Sequence, residues 1–126
     1  MAITHSTAAR NKIADEVTAL LDAGGAGSLV IGTTGMGATL ATIALSATSF
    51  GAASGGVCTL SGTPLEGTAS GTGTAAACQL KDGGGTVVIT GTVTATGGGG
   101  DVTLVSTSIT TGEVVRITSG TYTAPT

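Results

Sequence analysis

The sequence predicts a mainly β protein, an antiparallel β-sandwich or barrel of about seven short strands with one N-terminal α-helix. Three observations predict this class: a three-and-four spacing of apolar residues near the N-terminus, a period of two over most of the remaining chain, and glycine-rich turns at roughly even intervals. A chain of 126 residues suits one domain. We divide it into an N-terminal arm with an amphipathic helix (1–24) and a β-rich module (25–126).

The helix is predicted over residues 6–23. Apolar residues recur there at the spacing that places them on one helix face, namely Ala9, Ile13, Val17, Leu20 and Leu21. The charged residues fall largely off that stripe. Thr4 or Ser6 can supply the N-cap oxygen, and Gly24 with Gly25 can end the helix. Two placements stay open: the helix packs on the sheet of its own domain, or it docks as an arm on a neighbouring subunit.

After residue 25 the pattern changes to strands. Threonine and valine suit a pleated, half-buried surface, and alternation predicts strands at 28–31, 38–46, 57–62, 74–82, 86–95, 101–109 and 113–123. Segments 32–37 and 81–86 are typical of hairpin connections, and we expect further turns at 96–101 and 110–113.

The two long segments 49–57 and 62–73 are predicted loops, which are common places for binding. Leu65, beside Pro64, is either an exposed contact residue or a loop residue folded back on the core.

Composition limits the stability of this chain and the partners it can bind. Twenty-three glycines make folding costly, and one Phe, one Tyr and no Trp provide few large core side chains. We therefore expect a marginal monomer that is stabilised by assembly. A net charge of −3 with scattered basic residues argues against nucleic-acid binding. The chain contains neither an apolar run of about 20 residues nor a secretion-signal pattern, so we expect no membrane association and folding in the cytoplasm.

Residues able to carry chemistry are few and scattered. His5 is the single histidine, and no Cys, Asp or Glu lies close to it in sequence. Asp82 and Asp101 fall in predicted turns, where such side chains bond to local backbone. The glycine-rich stretch 32–37 lacks the Gly-Lys-Ser/Thr ending of a phosphate-binding loop. The sequence predicts a protein without enzymatic activity, bound metal or cofactor.

Cys58 and Cys78 are spaced like neither a redox pair nor a zinc site. If their strands are neighbours, a disulfide is geometrically possible, although folding in the cytoplasm disfavours it. We expect two small, buried apolar residues.

The whole pattern resembles a family of small proteins encoded among the virion structural genes of tailed bacteriophages. The segments that carry the resemblance are MAITHSTAARNKIADEV, LLDAG, SLVI, ATLATIALS, FGAASGGV, DGGGTVVITGTV and STSITTGEVVRITSGTYTAP. Agreement is looser at 62–76 and 97–100. The resemblance implies a virion component without enzymatic activity, similar to capsid decoration (cement) proteins on the outside of the head.

That resemblance implies the major capsid protein as partner, a homo-oligomer with a trimer favoured, and assembly in the host cytoplasm. Candidate subunit-interface residues are Ile13, Val17, Leu20, Leu21, Phe50 and Leu65. The alternative within the virion is a tail or head-fibre component that contacts the host surface through the two long loops. A secreted or surface adhesion module and an enzyme are the other classes considered. We expect an adhesion module to carry a signal peptide, and the sequence shows no such pattern. An enzyme needs a recognisable site, and the sequence shows none.

Overall fold

A computed structural model describes residues 3–124. These residues form one α-helix, a short 3-10 helix and ten strands, which confirms a mainly β protein with one helix. In chain order the elements are α1 (Thr7–Leu21), β1 (Ser28–Gly32), the 3-10 helix (Thr34–Met36), β2 (Thr39–Ala44), β3 (Val57–Thr59), β4 (Leu65–Thr68), β5 (Gly73–Thr74), β6 (Ala77–Lys81), β7 (Val87–Ala95), β8 (Val102–Leu104), β9 (Ser108–Ile109) and β10 (Val114–Thr123). Residues 1–2 of the predicted arm and 125–126 of the predicted β-rich module lie outside the described range.

Eight strands form one curled mixed sheet, a half-barrel, so the prediction of a seven-strand antiparallel sandwich or barrel is wrong in detail. The strand order is β2–β1–β6–β7–β8–β10–β3, β4 also pairs with β10, and β5 with β9 forms a separate two-stranded sheet. Among the described strands every pair is antiparallel except β7–β8. A bridge between Ala41 in β2 and Ala69, just after β4, brings the two sides of the half-barrel together.

The parallel pair depends on four consecutive glycines, residues 97–100, because the chain must leave β7 and return beside it in the same direction. Gly98 and Gly100 lie against Thr94, where an added Cβ would stand 2.8 Å from Thr94 Cβ and 2.9 Å from Thr94 N, respectively. The other two glycines have φ values of 88° and 83°, which L-residues with side chains rarely adopt. The predicted turn at 96–101 is therefore present, but it produces a parallel return.

The predicted helix is confirmed, with a different buried face. Ser6 is the N-cap, since its Oγ accepts a hydrogen bond from Ala9 N at 3.2 Å. The fully buried helix residues are Ala14, Thr18 and Leu21, so the buried stripe is rotated from the predicted one. Thr18 can be buried because its hydroxyl donates to the Ala14 carbonyl at 2.9 Å.

Polar side chains fasten α1 to the segment 49–57. Side-chain oxygens of three helix residues accept backbone N–H groups from it: Asn11 from Gly56 at 2.7 Å, Asp15 from Ala53 at 2.8 Å, and Asp22 from Ser49 at 2.9 Å. Asp15, one of the charged residues off the predicted apolar stripe, is thus a docking residue. The sequence left open whether the helix packs on its own domain or docks on a neighbouring subunit. In the structure the helix packs on its own chain.

The segment 62–73, predicted to be a loop, contains β4 and β5. β4 pairs with β10 over four residues and places Leu65 opposite Ile117. Pro64 and Gly67 break the alternation that would have predicted this strand. Gly67 is required there, because a Cβ would lie 2.7 Å from Ile43 Cγ1. Conversely, the predicted strand 101–109 divides into β8 and β9.

The predicted hairpins are present. β1 and β2 pair across the 3-10 helix, and β6 and β7 pair across residues 82–86. In the second turn Asp82 Oδ1 accepts N–H groups from Gly84 at 3.0 Å and Thr86 at 2.9 Å, as expected for an aspartate in a turn. In the turn at 110–113, Glu113 N donates to Thr110 O at 3.1 Å.

The core is mainly aliphatic and joins side chains of the sheet to Ala14 and Leu21 of α1. Its largest fully buried apolar side chains are those of Leu21, Leu29, Ile31, Leu40, Ile43, Leu104 and Ile117.

Candidate interaction surfaces

The first candidate surface is a cleft beside the start of β10, lined by apolar and polar residues in equal number. Successive side chains of a strand point to opposite faces, so Val115 and Ile117 enter the core while Val114 points outward and is 62% exposed. Val105, just after β8, is 64% exposed, and its N–H donates to the Arg116 carbonyl at 3.4 Å. We call this the valine cleft; it has a volume of about 260 Å³ and is lined by Val105, Ser106, Ser108, Ile109, Glu113, Val114, Val115 and Arg116.

Both charged groups of the valine cleft are already engaged. Arg116 Nη2 lies 3.2 Å from Glu66 Oε2, and Glu113 Oε1 accepts a hydrogen bond from Thr110 N at 2.8 Å. Such exposed pairs contribute at most about 1 kcal/mol to stability, so they chiefly fix the positions of the side chains. The cleft therefore presents valine methyl groups within a polar rim, which is the usual make-up of a protein-binding patch.

The second candidate surface lies where the half-barrel lacks part of a strand. β8 has three residues, whereas its neighbours β7 and β10 have nine and ten. Residues 87–91 of β7 pair only with β6, and residues 121–123 of β10 only with β3, among the described strands. We call the space between these two free strand edges the strand slot.

A cavity of about 170 Å³ lies in the strand slot. Its floor is largely apolar, and the two aromatic residues of the chain contribute to it: it is lined by Phe50, Cys78, Leu80, Ile89, Thr90, Gly91, Asp101, Val102, Thr121, Tyr122 and Thr123. Gly91 keeps this floor open, since an added Cβ would stand 3.0 Å from Asp101 Oδ2 and 3.4 Å from Cys78 Sγ.

Asp101 closes one end of the strand slot. Its Oδ2 accepts hydrogen bonds from Thr92 N at 2.9 Å and from Thr92 Oγ1 at 3.1 Å, and its carbonyl accepts one from Thr121 N at 2.9 Å. It therefore ties β7 to β10 at the point where β8 begins. The sequence predicted only a turn aspartate here, because the partner strands are not visible in a local pattern.

The residues predicted to form a subunit interface do not form one surface in this chain. Leu21 and Phe50 are buried in the core, and Ile13 and Leu65 are partly buried against it. Val17 is also half-buried, while Leu20 is 55% exposed. Leu65 is folded back on the core, which is one of the two alternatives that the sequence left open. Leu20 alone retains a largely free side chain within this set.

The valine cleft was not predicted from the sequence. The one available signal is the adjacent pair Val114 and Val115, since two consecutive apolar residues in a strand must point to opposite faces. Consecutive apolar residues can also both be buried, as Leu29 and Val30 are in β1, so only the fold reveals that Val114 lies outside the core and that Val105 lines the same cleft.

Both cysteines are free and buried, as expected, and no disulfide joins them. Burial raises the pKa of the Cys78 thiol to about 11, partly offset by a hydrogen bond with the Gly91 backbone, and the nearby Asp101 charge adds to the rise. Burial also raises the pKa of Cys58, whose sulfur lies 3.8 Å from both Thr18 Oγ1 and Asp15 Oδ1. Raised pKa values keep both thiols neutral and poorly nucleophilic near pH 7.

Other chemical groups remain dispersed. His5 is exposed, and residues 3–124 contain no group of three or more His, Cys, Asp or Glu placed to hold a metal ion. Within the same residues, α1 falls short of the length and apolar character that crossing a membrane requires.

The chain matches none of the protein families, curated proteins or solved structures with which it was compared.

Proposed function

We propose that this chain is a non-enzymatic structural protein of a tailed-phage virion that binds the outside of the head and bridges major capsid subunits. The observation that carries the proposal is the valine cleft, in which two largely exposed valines lie beside the serines of the same cleft. Burying the valine cleft against a capsid subunit removes apolar surface from water, which stabilises the complex by about 25 cal/mol per Å² of that surface. The resemblance of the sequence to virion structural proteins supports the choice of partner.

The mechanism is mechanical. Each copy buries surface on two or more capsid subunits, so separating those subunits also requires breaking the contacts of the bridging copy. A stable interface buries about 1,200–2,000 Å² in total, more than the valine cleft alone provides, so neighbouring strands contribute. Copies joined as a homo-oligomer, in our proposal a trimer, hold several weak contacts at once and gain affinity through multivalency.

An external position also agrees with the charge of the chain. A net charge of −3 would be repelled by packaged DNA, whereas the outer surface of the head imposes no such cost.

The test is binding of the purified protein to phage heads that lack it, measured by cryo-electron microscopy and by resistance of the heads to heat. We expect ordered density on the outer capsid and heads that withstand higher temperature. Binding to tails or host cells, with none to heads, would refute the capsid role and favour the fibre component.

Two matched variants identify the contact surface. Val114→Asp and Leu20→Asp each introduce a charge at a largely exposed apolar position, 62% and 55% exposed. We expect Val114→Asp to abolish binding to heads and Leu20→Asp to preserve it. The opposite pattern would show that the helix face, and not the valine cleft, meets the capsid.

A further inference from the structure

The strand slot presents backbone groups that a further strand can pair with. Thr92 N and Thr121 N, at its closed end, both point inward, since each donates to Asp101. Alternate residues of a strand direct their backbone groups to the same edge. Thr90 on β7 and Thr123 on β10 therefore direct theirs into the slot. Free strand edges of this kind are templates for pairing with another chain.

The slot also accommodates one apolar side chain. An incoming strand collinear with β8 would direct alternate side chains toward the cavity and toward solvent. The apolar floor, formed by Leu80, Ile89 and Val102 with the ring of Tyr122, suits an aliphatic group. The matching segment is therefore extended, is short and carries an aliphatic residue.

Residues 3–6 of this chain have these properties. They lie in neither helix nor strand, and Ile3 is a β-branched residue that is 80% exposed, the most exposed large apolar side chain among the described residues. Because Ile3 is exposed, this segment lies outside the slot of its own chain.

The segment starts close to the open end of the slot. Arg10 in the first turns of α1 donates from Nη2 to the Ala124 carbonyl at 3.2 Å, which places the beginning of the helix beside the end of β10. Four extended residues reach at most about 13 Å. Since the segment and the slot opening lie at the same end of the molecule, a second copy has to approach only this end for its segment to enter the slot.

We propose that residues 3–6 of a second copy of this chain enter the strand slot as an added β-strand, with Ile3 in its cavity. The exchange runs onward around a ring, which a trimer closes, and each added strand pairs with β7 and β10. This self-association is independent of the capsid partner proposed above.

Sedimentation velocity of the full chain over a range of concentrations tests the proposal. We expect the natural sequence to associate with a dissociation constant below about 100 μM. Ile3→Asp is expected to weaken association about tenfold or more, because it places a charge in an apolar cavity, while Ile3→Val preserves it. Position 3 is exposed in the single chain, so neither change disturbs folding. A natural sequence that stays monomeric, or an Ile3→Asp variant that associates equally well, would overturn the proposal.

Cross-linking identifies the occupied surface. A photoreactive amino acid at position 3, in a mixture of isotopically heavy and light chains, is expected to join residues 89–91 or 121–123 of the other copy. Cross-links to these residues within one chain would show that the segment folds back on itself. Cross-links elsewhere, including the valine cleft, would equally overturn the assignment. Val114→Asp serves as control, since it removes binding to heads under the proposed function but leaves self-association unchanged.

Discussion

Asp22→Ala tests whether polar docking of α1 contributes to stability. Asp22 is the C-cap residue of the helix, and its Oδ1 accepts a hydrogen bond from Ser49 N at 2.9 Å. Ser49 is fully buried, next to Phe50 in the core. Truncation to alanine leaves the N–H of the buried Ser49 without this acceptor.

Two opposing effects set how far Asp22→Ala lowers the free energy of unfolding. An unsatisfied buried donor costs about 1–3 kcal/mol. Removing a negative charge from a helix C-terminus returns about 0.3–1 kcal/mol, because that end of the helix carries partial negative charge. The net loss is about 1–2 kcal/mol. With a urea dependence of about 2 kcal/mol per molar, the middle of the usual range of about 1–3, the unfolding midpoint falls by roughly 0.5–1 M.

Equilibrium unfolding in urea, followed by far-UV circular dichroism, measures this change. Asp22→Asn keeps an oxygen acceptor while removing the charge, so we expect a midpoint close to that of the natural sequence. Glu16→Ala is the matched control on the same helix. Its ion pair with Lys12, at 4.0 Å, is largely exposed and contributes at most about 0.5 kcal/mol to stability. Equal midpoints for Asp22→Ala and Glu16→Ala would refute the reasoning, as would equal losses for Asp22→Asn and Asp22→Ala.

Three further predictions concern the sheet and the thiols. Gly100→Ala should lower the free energy of unfolding in urea by about 1–3 kcal/mol, because the added methyl group crowds Thr94. Gly37→Ala is the control: Gly37 has a φ of −62° and an added Cβ would make no contact under 3.4 Å, so the free energy of unfolding should change little. Thr103→Val should cost about as much as Gly100→Ala, because the buried Thr103 hydroxyl lies 2.7 Å from both Thr118 Oγ1 and Ser119 Oγ; an unchanged urea midpoint would contradict this. The raised pKa of Cys78 favours the neutral thiol in the folded state. Its stabilising contribution is complete below the unfolded pKa near 9 and is lost as pH rises toward about 11. Urea midpoints at about pH 8 and pH 10.5 should therefore differ less for Cys78→Ala than for the natural sequence.

Local patterns predicted the elements whose information is local. The helix, the Ser6 cap and the Asp82 turn all follow from neighbouring residues, and the structure has each of them, although the helix ends at Leu21 with Asp22 as its C-cap and not at Gly24 and Gly25. The buried helix face was not predictable in the same way. Spacing favours Val17 and Leu20, but the segment 49–57 supplies N–H donors that only polar side chains can meet, and these bonds rotate the helix toward Asn11 and Asp15.

Strand partners were less predictable than strands, because pairing depends on residues far apart in sequence. β4 is held by β10, some fifty residues later, and its own sequence contains the glycine that contact with Ile43 requires. The two candidate surfaces share this dependence. Val114 and Val105 line one cleft only after β8 and β10 pair, and the strand slot exists only because two neighbours of β8 are longer than β8 itself.

The tetraglycine 97–100 links the unusual pairing to the slot. In the parallel register Val93 lies beside Val102, so a straight chain before β8 would place residues 98–100 beside 89–91 and fill the slot from within. Instead the glycines fold back over Thr94, whose Oγ1 accepts the Gly100 N–H at 3.0 Å. Only residues without a Cβ allow that approach, and the cost of ordering them is met by the parallel pair and by Asp101. The same four residues therefore set the direction of β8 and leave a strand-shaped space beside it.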